Sequence, residues 1–166
     1  QTPVMIASPV IRMFEDSDEA AVIALLRELQ AAEVPMNPHL RPVDEIGRPY
    51  LDETRGWCSK NAGVMLVATL NDVIIGYACV LTDCTEEGKD SERPYHYAYV
   101  ADMVVTEKER GQGYGKLMLQ HCEQLARAKG QTIFRIGVMS ENRNALRLYH
   151  AFGFRDRHMT LEKRLT

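Results

Sequence analysis

The sequence predicts a single α/β domain built on a mixed, mostly antiparallel sheet, with a central β-α-β unit flanked by helices. Three observations lead there. Two runs of strand composition, residues 64–70 and 73–80, flank the dipeptide Asn71-Asp72 and read as an antiparallel hairpin. A third run, residues 95–105, is rich in Tyr and Val, and a glycine-rich turn joins it to a helical pattern and then to another apolar run at 132–138. Such a strand–helix–strand unit places its two strands parallel through a right-handed crossover. Finally, the 166 residues, 45% apolar and 26% charged, suit one hydrophobic core, so one domain is expected over 1–166 with its core at about 10–165.

The elements follow in order. Residues 10–14 alternate enough for a first strand. Asp16 stands as the expected N-cap of a helix, with Glu19 three residues on, and Ala21, Val22, Leu25, Leu26 and Leu29 give that helix one apolar face to about Gln30. Pro35, Pro38, Pro42 and Pro49 then break up residues 31–50, an irregular excursion long enough to suggest function, before a second helix near 49–59. The hairpin comes next, and the polar stretch 83–93 reads as a solvent loop. After the glycine turn, Leu117, Leu119, Cys122, Leu125 and Ala126 mark a helix that Gly130 ends. Residues 142–152 form a short helix stopped by Gly153, and 154–165 are expected to supply one or two last strands.

Composition excludes several classes. A formal net charge of −3 argues against a protein that grips nucleic acid backbone. No apolar run approaches the roughly 20 residues that cross a bilayer, so no membrane association is expected. Residues 1–10 lack the basic start and apolar centre of a signal peptide, which makes the cytoplasm the default compartment. Cys58, Cys79, Cys84 and Cys122 form no closely spaced ligand pairs and read as reduced structural thiols, so no metal is expected.

The chemistry concentrates at Arg110-Gly111-Gln112-Gly113-Tyr114-Gly115-Lys116. A helix start exposes unpaired amides and a positive dipole end, and glycines let an anion approach the backbone. A plain tight connection is the structural alternative. No Gly-Lys-Ser or Gly-Lys-Thr follows, so this is not a Walker A turn, and Gly-x-Gly-x-Gly with no acidic residue about 20 positions on disfavours a dinucleotide fold. The turn resembles the Arg/Gln-x-x-Gly-x-Gly/Ala signature of the GNAT superfamily of N-acetyltransferases. Ala101-Asp102-Met103-Val104-Val105 is similar to that family's fourth strand. The stretch from Asn142 through Ala145, Leu148 and Tyr149 to Gly153-Phe154 is similar to its Asn-x-x-Ala-x-x-Leu-Tyr-x-x-x-Gly-Phe block.

The resemblance implies an enzyme that moves an acetyl group from acetyl-coenzyme A to a primary amine of a small molecule, peptide or protein, by direct attack on the thioester. Backbone groups around Met103, Val104 and Val105 would pair with the pantetheine arm. Amides from Arg110 through Gly111, Gln112, Gly113, Tyr114 and Gly115 to Lys116 would cradle the pyrophosphate, and Asn142 would bond the coenzyme while also suiting a helix N-cap. Tyr149 would assist the departing thiolate; a core-facing tyrosine is its bland reading.

The base and the acceptor site are less marked. Asp102 is the first base candidate, ahead of His96 and Glu33, but strand alternation alone does not say which layer it faces. Some family members carry Glu one or three positions earlier, where this chain has Ala101 and Tyr99. Glu33 and His39, on the proline-rich excursion, are expected near the acceptor. Tyr97 and Tyr99 either line that site with them or pack in the core. A homodimer follows from analogy alone. A coenzyme-binding regulatory domain without turnover is the alternative from another class.

Overall fold

The computed structural model describes residues 7–166. The first six residues, part of the segment read for a signal peptide, lie outside the described residues. Strand β1 (Val10–Met13) leads through a short 3-10 turn to helix α1 (Glu19–Glu33). Asp16 does not cap it. The Glu15 N–H donates to the Asp18 carboxylate at 2.8 Å, and both Asp18 oxygens accept from Arg12 at 2.7 and 2.9 Å. Asp18 is buried, so a charged partner and a backbone donor both hold it there, whereas the Asp16 side chain stays in solvent.

Helix α2 (Arg48–Lys60) follows the excursion, with Pro49 in its first turn where no backbone donor is lost. Strands β2 (Gly63–Leu70) and β3 (Val73–Glu86) pair antiparallel through Asn71 and Asp72, at φ of 49° and 63°, the left-handed pair that a two-residue hairpin needs. β3 runs further than its polar sequence suggests. Residues 83–86, expected as loop, extend it, and Cys84, Thr85 and Glu86 pair with the start of β4 (Tyr95–Val105). Helix α3 (Tyr114–Ala128), strand β5 (Phe134–Ile136) and helix α4 (Arg143–Phe152) complete the ordered elements.

The sheet order is β1-β2-β3-β4-β5, antiparallel throughout except for the parallel β4–β5 pair. Its two faces carry separate cores. Val22, Leu25 and Leu26 of α1 and Leu51 of α2 pack on Val67, Tyr77, Cys79 and Val104. On the other face Met118, Leu119 and Cys122 of α3 and Tyr149 of α4 pack on Ile75, Ala78, Val80 and Val100. The final strands expected over 154–165 do not form. Those residues have no regular structure, and Met159, Leu161 and Leu165 are exposed despite their strand-like spacing. A strand exists only where a ladder partner accepts its backbone groups, and alternation alone does not supply one.

A candidate acyl-coenzyme site

The glycine turn forms as an anion cradle requires. Gly111 and Gly113 have φ of 78° and 84°, in the left-handed region that suits glycine, and a Cβ built at either meets no protein atom within 4 Å. The space beside them is open. No side chain caps α3, and the Leu117 N–H, bonded to the Gly113 carbonyl at 3.1 Å, is the first amide of the helix to find an acceptor four residues back. The amides of Tyr114, Gly115 and Lys116 are the orphan donors of a helix start. Gly115 has a different role: a Cβ there would stand 3.1 Å from Leu148, so its absence lets α3 close on α4. The Arg110 guanidinium bonds the Val105 carbonyl at 3.0 Å, fixing a positive charge between the end of β4 and the turn.

Beside this turn the sheet splits. β4 and β5 pair only from Ala98↔Phe134 to Val100↔Ile136. Beyond Val100 they part, and residues 100–105 and 136–139 line a cavity of about 760 Å³ that reaches the glycine turn. The backbone edge of β4 facing β5 is therefore open to a linear, amide-bearing ligand over Ala101 to Val105.

α4 closes the cavity and carries its phenol. Asn142 caps the helix, its side-chain oxygen accepting from the Ala145 N–H at 3.2 Å. Gly153, at φ 115°, ends it. Tyr149 lines the cavity and has its ring against Phe154. Burial first, then the negative field of Glu33, pushes the Tyr149 hydroxyl up to about 12, so at neutral pH it holds its proton.

The carboxylate is aimed by an irregularity in β4. Cys79 pairs with Asp102 and Val80 with Val100, leaving Ala101 as the extra residue of a β-bulge. Across it the pattern flips: Ala98 and Val100 face α3 and α4, whereas Asp102 and Val104 face α1 and α2. Asp102 accepts a 2.7 Å hydrogen bond from the Tyr50 hydroxyl of α2. Burial raises its pKa to about 6, the Tyr50 bond opposes that rise, and the charge of Glu33 adds to it. Glu33, at the end of α1, lines the same cavity and is itself raised by burial.

The cavity thus brings together Glu33, Asp102, Met103, Val104, Val105, Arg110, Gly111, Gly113, Tyr114, Gly115, Lys116, Asn142 and Tyr149. Gln112 does not line it. His39 is exposed, with its N–H on the Asn37 side chain, and lies outside the cavity wall. Tyr97 packs beneath the Arg135 guanidinium, and the Tyr99 hydroxyl lies over Gly137. Neither tyrosine lines the cavity. His96 bonds Asp83 at 2.8 Å on the exposed end of the sheet. Sequence reasoning missed Tyr50 as the partner of Asp102. Its signal was faint, a polar and aromatic stripe of Tyr50, Thr54 and Trp57 on one face of α2. Among the described residues no His, Cys, Asp and Glu cluster could hold a metal ion, and no helix is long and apolar enough to cross a membrane.

A split sheet edge leading to a bare helix start defines a class of α/β proteins whose geometry suits a linear, amide-bearing ligand that ends in an anion. Within that class, a model of the acetyltransferase (GNAT) family matches residues 24–154, most of the chain. The chain belongs to that family. The uncharacterized N-acetyltransferase YycN of Bacillus subtilis (strain 168) is 32% identical over 76 residues, 46% of this chain and 49% of the relative. The thialysine N-epsilon-acetyltransferase of Sus scrofa is 36% identical over 58 residues, 35% of this chain and 34% of the relative. These stretches span about half and about a third of the two curated relatives. The fold matches a mutant of the BH1408 protein from Bacillus halodurans with a TM-score of 0.85 at 21% identity, covering 95% of this chain and 99% of that one. It also matches a predicted acetyltransferase from Clostridium acetobutylicum, solved with acetyl-CoA, with a TM-score of 0.66 at 18% identity over 95% and 96% of the two chains.

Proposed function

We propose that the protein transfers the acetyl group of acetyl-CoA to a primary amine by direct attack on the thioester. Asp102 takes the amine's proton and Tyr149 donates one to the departing sulfur. The carrying observation is that one cavity joins the bare start of α3 to both a protonated phenol and a buried carboxylate. The amides from Gly111 to Lys116 hold the diphosphate, and the open edge of β4 holds the pantetheine arm. Acetyl-CoA fits this chain because its anionic end meets Arg110 and Lys116, while its thioester lies in the same cavity that Asp102 and Tyr149 line.

The proton balance gives each residue a task. An alkylammonium near pKa 10.4 is only about one part in 2,500 neutral at pH 7, which adds roughly 4–5 kcal/mol to the apparent barrier. A carboxylate raised to about 6 is a stronger base than an exposed aspartate yet remains ionised at pH 7. As the new C–N bond forms and the C–S bond breaks, the amine loses a proton to Asp102 and the sulfur gains one from Tyr149. The ammonium has by then given one proton to solvent on becoming the neutral nucleophile; Asp102 next releases its proton and Tyr149 regains one, so each turnover releases one proton net. The anionic field of Glu33 and Asp102 draws the ammonium to this end of the cavity. The Sus scrofa relative, by its name, acts on a side-chain amine, which supports an amine acceptor.

The test is release of free thiol from acetyl-CoA across a panel of primary amines, run beside thermal melting with acetyl-CoA. Stabilisation with thiol release is expected. Stabilisation with no release from any amine would favour a regulatory coenzyme-binding domain, and no stabilisation would overturn the coenzyme site itself.

A further inference from the structure

A second cavity, of about 210 Å³, opens next to the first. One wall is a face of α2 carrying Tyr50, Glu53, Thr54 and Trp57, the three- and four-residue spacing that stacks side chains along a helix. The opposite wall includes Ala101 and Asp102 at the β4 bulge. Tyr50, Ala101 and Asp102 line both cavities, so the two meet where the Tyr50 hydroxyl bonds Asp102.

The ionisable groups of this small cavity carry one sign. Glu53 makes no ion pair among the described residues, and no Lys, Arg or His lines the cavity. Only one oxygen of Asp102, Oδ1, accepts a hydrogen bond among the described residues, which leaves Oδ2 to a ligand. At the rim the Trp57 side chain is 50% exposed, an unusual position for a large aromatic residue. An exposed indole beside an unpaired carboxylate is a seat for an alkylammonium: the ring face takes the cation, and the carboxylate neutralises it.

We propose that this cavity seats the second positive charge of a linear diamine, whose other amine stands at Asp102 and is the one acetylated. The inference rests on the acetyl-transfer reading above. A volume of about 210 Å³ is below the roughly 300–1,000 Å³ of sites for bulkier ligands, which favours an unbranched chain over a ring system. Tyr50 and Trp57 lie two helical turns apart, about 10 Å along the axis, so the inner seat at Asp102, beside Tyr50, and the outer seat at the indole are separated by the length of an extended aliphatic chain. An acceptor with a carboxylate at its far end would meet Glu53 with like charge. Acetylation forms one C–N bond at the inner nitrogen and leaves the outer ammonium unchanged.

The test compares 1,6-diaminohexane with hexylamine, two acceptors of equal length and different charge. Wild-type kcat/KM is expected to favour the diamine by at least about tenfold, and Glu53→Gln and Trp57→Ala to reduce that preference to near unity through the diamine's KM. Both side chains are exposed, so melting curves check that the variants fold. A preference that is absent in the wild type, or unchanged in both variants, overturns the proposal. Calorimetric titration of the diamine into CoA-saturated protein separates the two readings. Binding that Glu53→Gln weakens, with no thiol release from any amine, would keep the seat and sink the acetyl transfer. Diamine binding no tighter than that of hexylamine would sink the seat alone.

Discussion

Replacing Asp102 by Asn removes the charge while keeping the shape, and the structure gives the consequence a sign. The Asp102 carboxyl is raised from 3.8 to about 6, burial being the largest cause. A carboxylate with a raised folded-state pKa opposes folding above that value. Its protonated form carries no such penalty, so the contribution is most favourable below pH 4 and is lost as pH climbs from about 4 to about 6. Two units correspond to about 3 kcal/mol at pH 7. The Asn oxygen can still accept the Tyr50 hydrogen bond, so Asp102→Asn should be more stable than the wild type by up to about 3 kcal/mol at pH 7. In a domain of this size that raises Tm by about 6–12 °C. The gain should fade to nothing near pH 4. Activity should move the other way: kcat falls by about 10²-fold or more, and the acid limb near pH 6 in the wild-type kcat/KM profile disappears. Urea melts at pH 4 and pH 7, beside thiol-release kinetics from pH 5 to 9, read both. Equal stability at pH 7, or a gain that persists at pH 4, would show that burial does not strain this carboxylate.

Three further substitutions separate the parts of the site. Tyr149→Phe keeps the ring against Phe154 but removes the acid, so kcat should fall about 10- to 100-fold while acetyl-CoA affinity by calorimetry stays within about twofold. Gly113→Ala forces a Cβ into φ 84°, which should cost about 1–2 kcal/mol in a urea melt and weaken acetyl-CoA binding at least about tenfold; normal affinity would count against the cradle. Asn142→Ala deletes the side-chain oxygen that accepts from the Ala145 N–H, and should lower stability by about 1 kcal/mol in the same melt.

Much of this architecture was legible because local chemistry and tertiary demand agree. The Asn71-Asp72 turn, the left-handed glycines at 111 and 113 and the Asn142 cap are each dictated by their own backbone geometry, and each folds as its sequence implies. What was not legible depends on pairing. Residues 83–86 read as a polar loop yet extend β3, since Tyr97, His96 and Tyr95 of β4 stand opposite Cys84, Thr85 and Glu86. Met159, Leu161 and Leu165 alternate with polar residues as a strand would, yet no ladder takes them up. The partner of Asp102 was hidden for the same reason: Tyr50 is 52 positions away, and only the packing of α2 on the sheet brings them together.

The bulge at Ala101 is the step that joins the two halves of the site. With strict alternation, a strand that turns Ala98 and Val100 toward α3 and α4 would turn Asp102 and Val104 there too, into the apolar layer of Met118 and Leu119. The carboxylate would lie against that core without Tyr50, and no acid would face the α2 wall. One extra residue reverses the order. Asp102 then meets Tyr50, while Met103 and Val105 turn their side chains toward α3 and α4. The sharper local twist that a bulge brings also accounts for the parting of β4 from β5 directly after Val100. A single irregularity thereby opens the edge proposed for the coenzyme arm and points the proposed base at the end of that edge.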